Sequence, residues 1–173
     1  MNNKIVLPIS LRPKYIDNRN KSWYLEIDSI VGKKNEKEVI ISIIDRCTRI
    51  TWLIKADYRY DYYTSSKIYK FLKEKDIIVK SITVDNGLEF QRMRITAMKL
   101  GVKLYKCDSY CSYQRGSNES MNAIVRKILP KGSSFEFISQ IHLDDIAFKM
   151  NGMPRKIFNF RTPYQMETVY FKN

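Results

Sequence analysis

Three carboxylates stand where apolar elements end or helices begin. Asp85 closes the apolar run from Ile77 to Val84 and opens Asp85-Asn86-Gly87, a strand that delivers its acid into a tight turn. Asp28 lies in Trp23-Tyr24-Leu25-Glu26-Ile27-Asp28-Ser29-Ile30, where strand alternation puts Trp23, Leu25 and Ile27 on one face and Tyr24, Glu26, Asp28 and Ile30 on the other. Glu119 follows Arg115-Gly116-Ser117-Asn118 at the start of a helix whose apolar positions are Met121, Ile124, Val125 and Ile128. Asn122 and Arg126 share the helix face of Glu119. Divalent-metal phosphoryl transfer needs such a set: hard oxygen donors on rigid elements, gathered from distant parts of the chain. Acid count alone does not select it, because 18 Asp and Glu residues offer many triples.

The elements that must position these acids can be read in order. Residues 1 to 21, with Pro8, Pro13 and many Lys, Arg and Asn, read as an irregular lead-in. The Asp28 strand turns at Gly32-Lys33-Lys34-Asn35 into Val39 to Ile44, which is apolar on both faces as in a covered central strand. Asp45-Arg46 leads to a third strand, Thr48 to Lys55, in which Trp52 reads as packing and Asp45 as a turn or ion-pair residue. A helix over Tyr62 to Lys75 carries Ile68, Phe71 and Leu72 inward, and the run Tyr58, Tyr60, Tyr62, Tyr63 reads as a partly buried aromatic face. Beyond the Asp85 strand come a helix from Phe90 to Leu100 with Gly101 as its C-cap and a short fifth strand, Val102 to Tyr105. A long polar loop, Lys106 to Ser117, precedes the Glu119 helix. Pro130-Lys131-Gly132 stops that helix; another runs from Ser139 to about Met150 with Ile141, Ile146 and Met150 inward, then a basic loop from Asn151 to Asn159. Thr162-Pro163-Tyr164-Gln165 begins a last short helix with a capping box. Five strands and several helices make this an α/β chain.

With 173 residues, one domain and one core are expected, burying close to about 70% of the unfolded surface. Thirty-one Lys and Arg give a net charge of +13, a field that attracts polyanions, and nucleic acid is the leading partner. Cys47, Cys107 and Cys111 form an odd set without a signal peptide or an apolar run long enough for a membrane, so a reduced, cytoplasmic setting is expected. Cys107, Cys111 and the single His142 lack the second ligand pair of a structural zinc site. His142 reads as a surface or capping residue on a helix.

At these residues the chain resembles the DDE transposases of the retroviral-integrase superfamily, and among them the bacterial transposases of insertion-sequence family thirty. The matching pieces are Trp23-x4-Asp28-x3-Gly32-Lys33, Asp45-Arg46-x2-Arg49, Thr83-Val84-Asp85-Asn86-Gly87-x-Glu89-Phe90 and Tyr110-x3-Gln114-Arg115-Gly116-Ser117-Asn118-Glu119. Pro130-Lys131-Gly132, Pro154-Arg155-Lys156 and Thr162-Pro163 follow in the family's order, and the likeness covers roughly residues 10 to 168. The resemblance implies a ribonuclease-H-like fold, a five-stranded mixed central sheet flanked by helices, with strands one and four side by side. It names Asp28, Asp85 and Glu119 as catalytic acids and metal ligands for two Mg²⁺ or Mn²⁺ ions. DNA, both transposon ends and target, is the implied substrate, the implied setting is the bacterial nucleoid, and a homodimer or higher oligomer is the implied assembly. Residues 1–21 would be a linker remnant and 22–173 the integrase-type core, with the family's N-terminal helix-turn-helix region expected to be missing.

Several residues carry two readings. Glu89 reads as an auxiliary ligand or, preferably, as a residue that orients the turn beyond Asp85. Asn86 reads as a turn former, while Asn118 stays open between a helix cap and a DNA contact. Arg115, Arg126, Lys131, Arg155 and Lys156 are candidate DNA contacts, set against plain solvated charge. Two rival functions remain beside DNA strand cleavage and transfer: binding DNA without catalysis, and a ribonuclease or general nuclease on the same fold.

Overall fold

The structure is a computed structural model that describes residues 5–108 and 116–171. Its centre is a mixed sheet of six strands in the order β1-β6-β5-β2-β3-β4. The strands are β1 (Val6–Pro8), β2 (Tyr24–Val31), β3 (Val39–Asp45), β4 (Thr51–Ala56), β5 (Ser81–Val84) and β6 (Lys103–Lys106). From β1 to β2 the pairing is parallel, and from β2 to β4 it is antiparallel. The helices are α1 (Lys14–Asp17), α2 (Asp61–Glu74), α3 (Met93–Leu100), α4 (Gly116–Ile128), α5 (Gln140–Asn151) and α6 (Pro163–Phe171).

Two expectations are corrected here: the sheet has six strands rather than five, and the first 21 residues are not irregular throughout. Val6, Leu7 and Pro8 pair with Leu104, Tyr105 and Lys106 and extend the sheet. Pro8 has no N–H to give, which suits an edge strand. Three residues are too few to show alternation, so the strand left no periodic mark in the sequence.

Every residue of β3 is buried, as its unbroken apolar run requires of a strand covered on both faces. One face of the sheet carries Leu25, Ile27, Ile41, Ile43, Ile82 and Val84 against Ile68 and Leu72 of α2 and Met93 and Ala97 of α3. The other carries Ile30, Ile40, Ile44 and Leu53 against Met121 and Val125 of α4 and Leu143, Ile146 and Met150 of α5. Ile141, expected inward, is 81% exposed, and Leu143 takes the buried position instead. Ile128 is also exposed, and Leu129 closes that end of the core.

Local chemistry sets the boundaries. Gly101 caps α3 at φ +69, in the left-handed region that favours glycine. Ser139 caps α5 by accepting the His142 N–H, while the His142 side chain lies in solvent. Thr162 and Gln165 exchange side-chain to backbone bonds of 2.8 and 3.2 Å, the reciprocal capping box. The far edge strand, β4, is covered by α5: Asn151 accepts from Thr51 N and donates to Thr51 O, both at 2.9 Å. Gln140 treats Lys55 N and Leu53 O in the same way, at 2.9 and 2.7 Å. Two side-chain amides therefore satisfy backbone groups that an open edge would leave free.

Candidate active site

Strand register brings the first two acids together. In the parallel β2/β5 pair Tyr24 lies opposite Ser81, Leu25 opposite Ile82 and Glu26 opposite Thr83, a constant offset of 57 residues. Carried two positions further, the same offset sets Asp28 opposite Asp85, on the face turned toward α4. Both carboxylates are half-buried. Asp28 Oδ1 accepts Ser29 N at 2.9 Å, and Asp85 Oδ1 accepts Gly87 N at 2.8 Å. Asn86 donates to the Cys107 carbonyl at 2.6 Å, so its amide ties the turn to the end of β6.

Helix α4 is laid along β2 by three contacts in sequence. Asn118 N donates to Glu26 Oε2 at 3.3 Å, Asn122 Nδ2 to Asp28 Oδ2 at 2.9 Å and Arg126 Nη2 to the Val31 carbonyl at 2.6 Å. Glu119 lies on the turn between the first two of these contacts, so the backbone of all three candidate acids converges on one end of the β2/β5 pair. Its side chain is exposed. Among the described residues no group of three or more His, Cys, Asp and Glu side chains is gathered closely enough to hold a metal ion.

A hard divalent cation would find oxygen donors here. Asp28 and Asp85 supply carboxylate oxygens, the ligand type such cations prefer. Asn122, whose Nδ2 donates to Asp28, has its Oδ1 buried with no hydrogen-bond partner among the described residues. The set fits in kind, with Glu119 one helical turn from Asn122.

Around the acids lie further polar residues, among which the sequence assigned no role to Glu26 or Arg59. Glu26, a buried carboxylate, pairs with the buried Arg46 as well as receiving α4. Burial pulls the Arg46 guanidinium below its usual value, despite the opposing pull of Glu26. Glu89 is buried; it accepts from Ser29 Oγ and from Arg59, whose Nη2 lies 3.1 Å from Oε1. A Cβ on Gly87 would lie 2.8 Å from both Asp85 Oδ1 and Glu89 Oε2, so the turn needs glycine to let two carboxylates approach the chain. Asp45 is buried and accepts from Trp23 N, Thr48 N and Thr48 Oγ1, a turn residue outside the acid cluster. Burial pushes its carboxyl up, and the bonds from Thr48 and Trp23 oppose that push.

The candidate DNA contacts divide. Arg115 lies outside the described residues, as do Cys111 and most of the loop before α4. Asn118 is buried and its backbone N–H docks α4 on Glu26, while both polar atoms of its side chain are without a hydrogen-bond partner among the described residues. Arg126 is half-buried with one nitrogen committed to Val31, so it fastens α4 rather than standing free in solvent. Lys131 and Lys156 are exposed. Arg155 and Lys156 line a cleft of about 320 Å³ together with Arg19, Arg49 and the apolar Met121, Ile124 and Ile157. Burial, and after it the neighbouring Arg19, lowers the Arg49 guanidinium in this cleft to about 10, against the pull of Glu26. Arg19 and Arg49 are far from Arg155 in sequence, and only folding shows that they share a wall.

No family model matches the chain. The transposase for insertion sequence element IS4351 of Bacteroides fragilis is 34% identical over 155 residues, 90% of this chain and 47% of that protein. Transposase InsI of insertion sequence element IS30A of Escherichia coli is 33% identical over 160 residues, 92% of this chain and 41% of its own. The transposase for element IS1086 of Cupriavidus metallidurans is 32% identical over 165 residues, 93% of this chain and 48% of its own. The chain thus spans about half the length of these curated relatives. Among solved structures, a chain in the structure of the simian T-cell lymphotropic virus intasome in complex with PP2A regulatory subunit B56 gamma shares the fold at a TM-score of 0.68 and 15% identity. It covers 84% of this chain and 54% of that one. Along nine-tenths of its length, then, the chain is homologous to transposases of the IS30 family of insertion sequences.

Proposed function

We propose that the chain is the ribonuclease-H-like catalytic core of a DDE transposase, which cleaves DNA strands and joins the freed 3′ ends to a target. Asp28, Asp85 and Glu119 are the residues that would hold two divalent cations, Mg²⁺ or Mn²⁺. The observation that carries this reading is the β2/β5 register, which sets Asp28 opposite Asp85 beneath a helix that bears Glu119. Bound there, the cations would activate a water or 3′-hydroxyl and offset charge on the leaving oxygen.

The chain's own residues supply the rest. Asn122 fixes one oxygen of Asp28 by donating to it. Ser29 and Arg59 hold Glu89 on the turn beyond Asp85, where both carboxylates lie close to Gly87. The cleft of Arg19, Arg49, Arg155 and Lys156 offers cations to the phosphate backbone of DNA, the partner this reading requires. Exposed Phe137, Ile141 and Phe148, on and beside α5, are the surface we assign to self-association into a homodimer or higher oligomer. A concentration series in sedimentation velocity tests it, and Ile141→Asp that leaves the oligomer unchanged would rule it out.

The test of the central reading is Mg²⁺- or Mn²⁺-dependent nicking and strand transfer on supercoiled plasmid, with Asp85→Asn purified in parallel. Activity present in the native protein and absent in the variant is expected; an active Asp85→Asn protein would refute the site. A second reading has its own observation: the exposed Glu119 side chain, apart from the two aspartates, fits a protein that binds DNA without cutting it. Salt-dependent DNA binding with no nicking by the native protein would select it.

A further inference from the structure

The segment Tyr58-Arg59-Tyr60, between β4 and α2, departs from the partly buried aromatic face expected for it. Tyr58 is 44% exposed and Tyr60 67% exposed. Their rings lie nearly parallel, 15° apart with centroids at 5.9 Å. Behind them Tyr63 meets Tyr58 edge-on at 5.5 Å. Tyr63 is itself pinned, donating to Asp57 at 2.6 Å and receiving Lys67 at 3.0 Å. The array is therefore braced from below and open from above. Exposed aromatic rings with a supporting framework are unusual on a surface unless something covers them.

What sits between the two tyrosines gives the array a direction. Arg59 reaches Glu89 through both Nε and Nη2, at 3.3 and 3.1 Å, and Glu89 accepts also from Ser29, the neighbour of Asp28. Glu89 and Asp85 both crowd Gly87. The platform is thus tethered to the acids through a buried carboxylate, while the guanidinium is still 49% exposed. Planar faces beside a fixed cation and next to a phosphoryl-transfer site suit a nucleic-acid strand whose bases are unpaired: each base offers a π-face, and each linkage an anion.

We propose that Tyr58 and Tyr60 form a stacking platform for unpaired bases of the DNA strand entering the acid site, with Arg59 on the adjoining phosphate. This rests on the nucleic-acid reading above. It adds to it a binding site that recognises a frayed or single-stranded end rather than a closed duplex. Glu89 acts here as a positioning residue, aiming Arg59.

The experiment is fluorescence anisotropy, without divalent metal, on three probes of equal length: an oligo-dT strand, the same strand with abasic positions and a blunt duplex. The native protein is expected to prefer oligo-dT to the abasic strand. Tyr58→Ala with Tyr60→Ala should weaken oligo-dT binding by about ten-fold or more, leave the duplex nearly unchanged and erase the preference over the abasic strand. Tyr58→Phe with Tyr60→Phe should restore it, and Arg59→Gln should lower the salt slope by about one. Equal binding of oligo-dT and abasic strands by the native protein would overturn the platform, and that result needs no variant to fold. Plasmid nicking on the same preparation separates the failures: nicking with no base preference removes the platform alone, whereas no binding to any probe removes the nucleic-acid reading with it.

Discussion

Along β2 the chain alternates between two interiors. Leu25 and Ile27 enter the face packed by α2 and α3, where the buried side chains lining the cluster are apolar. Glu26 and Asp28, each one residue away, enter the face under α4, where Glu26 pairs with Arg46 and Asp28 accepts from Asn122. The same strand thus serves a core made by the hydrophobic effect and a polar site that must satisfy each buried group. Burial on the first face needs only shape and volume. On the second, every charge needs a named partner, and the groups left over, such as Asn122 Oδ1, mark where a ligand has something to gain.

That contrast can be broken most sharply at Asp85. Asp85→Asn is expected to reduce metal-dependent nicking by more than about 10³-fold, over about 4 kcal/mol of transition-state stabilisation, with the melting temperature held. A matching loss from a conservative change on the apolar face, Val84→Ile, would break the distinction. Next in size is Glu26→Ala, which leaves the buried Arg46 with only the longer 3.6 Å pair to Asp17 and should cost about 3 to 5 kcal/mol in urea denaturation. Glu26→Leu combined with Arg46→Met should recover most of it, because an apolar pair needs no partner; failure to recover would show that α4 docking on Glu26 matters more than the charge.

Ile27→Ala on the apolar face should cost about 2 to 5 kcal/mol while leaving nicking per folded molecule intact. Smaller again is Asn151→Ala, which uncovers Thr51 at the β4 edge and should cost about 1 to 3 kcal/mol.

The smallest effect concerns Glu36, on the hairpin between β2 and β3. Burial raises its carboxyl, but bonds from Ser134, Phe135, Lys33 and Glu136 outweigh this and hold it below the usual 4.5. Its contribution is present above the unfolded value near 4.5 and is lost as pH falls through the lower folded value. Glu36→Gln should flatten stability against pH in that acid range and nowhere else.

Much of the apolar interior was legible before folding, and the polar face less so. The all-apolar β3 and the alternation of β2 follow from side-chain period alone, and both hold. Asp85 and Glu119 were legible as positions at the ends of elements, whereas Asp28, expected at a strand end, lies inside β2 opposite Ser42 of β3. Their surroundings were not: Glu26 and Arg59 are ordinary polar residues in the sequence, and Ile141 satisfied a helical period while facing solvent. A periodicity finds residues that share a face, but which helix face meets the sheet depends on everything else that packs there.

By itself, then, the sequence determined what depends on near neighbours: the glycine at the left-handed C-cap of α3, the capping box at Thr162, and the ends of the strands that carry Asp28 and Asp85. Tertiary structure alone decided the rest: the 57-residue offset that sets those acids opposite each other, the sixth strand at Val6, the inward turn of Asn118 and Arg126, and the outward turn of Tyr58 and Tyr60. The physical reason is reach. Local signals are written in bonds spanning a few residues, whereas register and helix docking are settled by contacts between segments dozens of residues apart, which no short window contains.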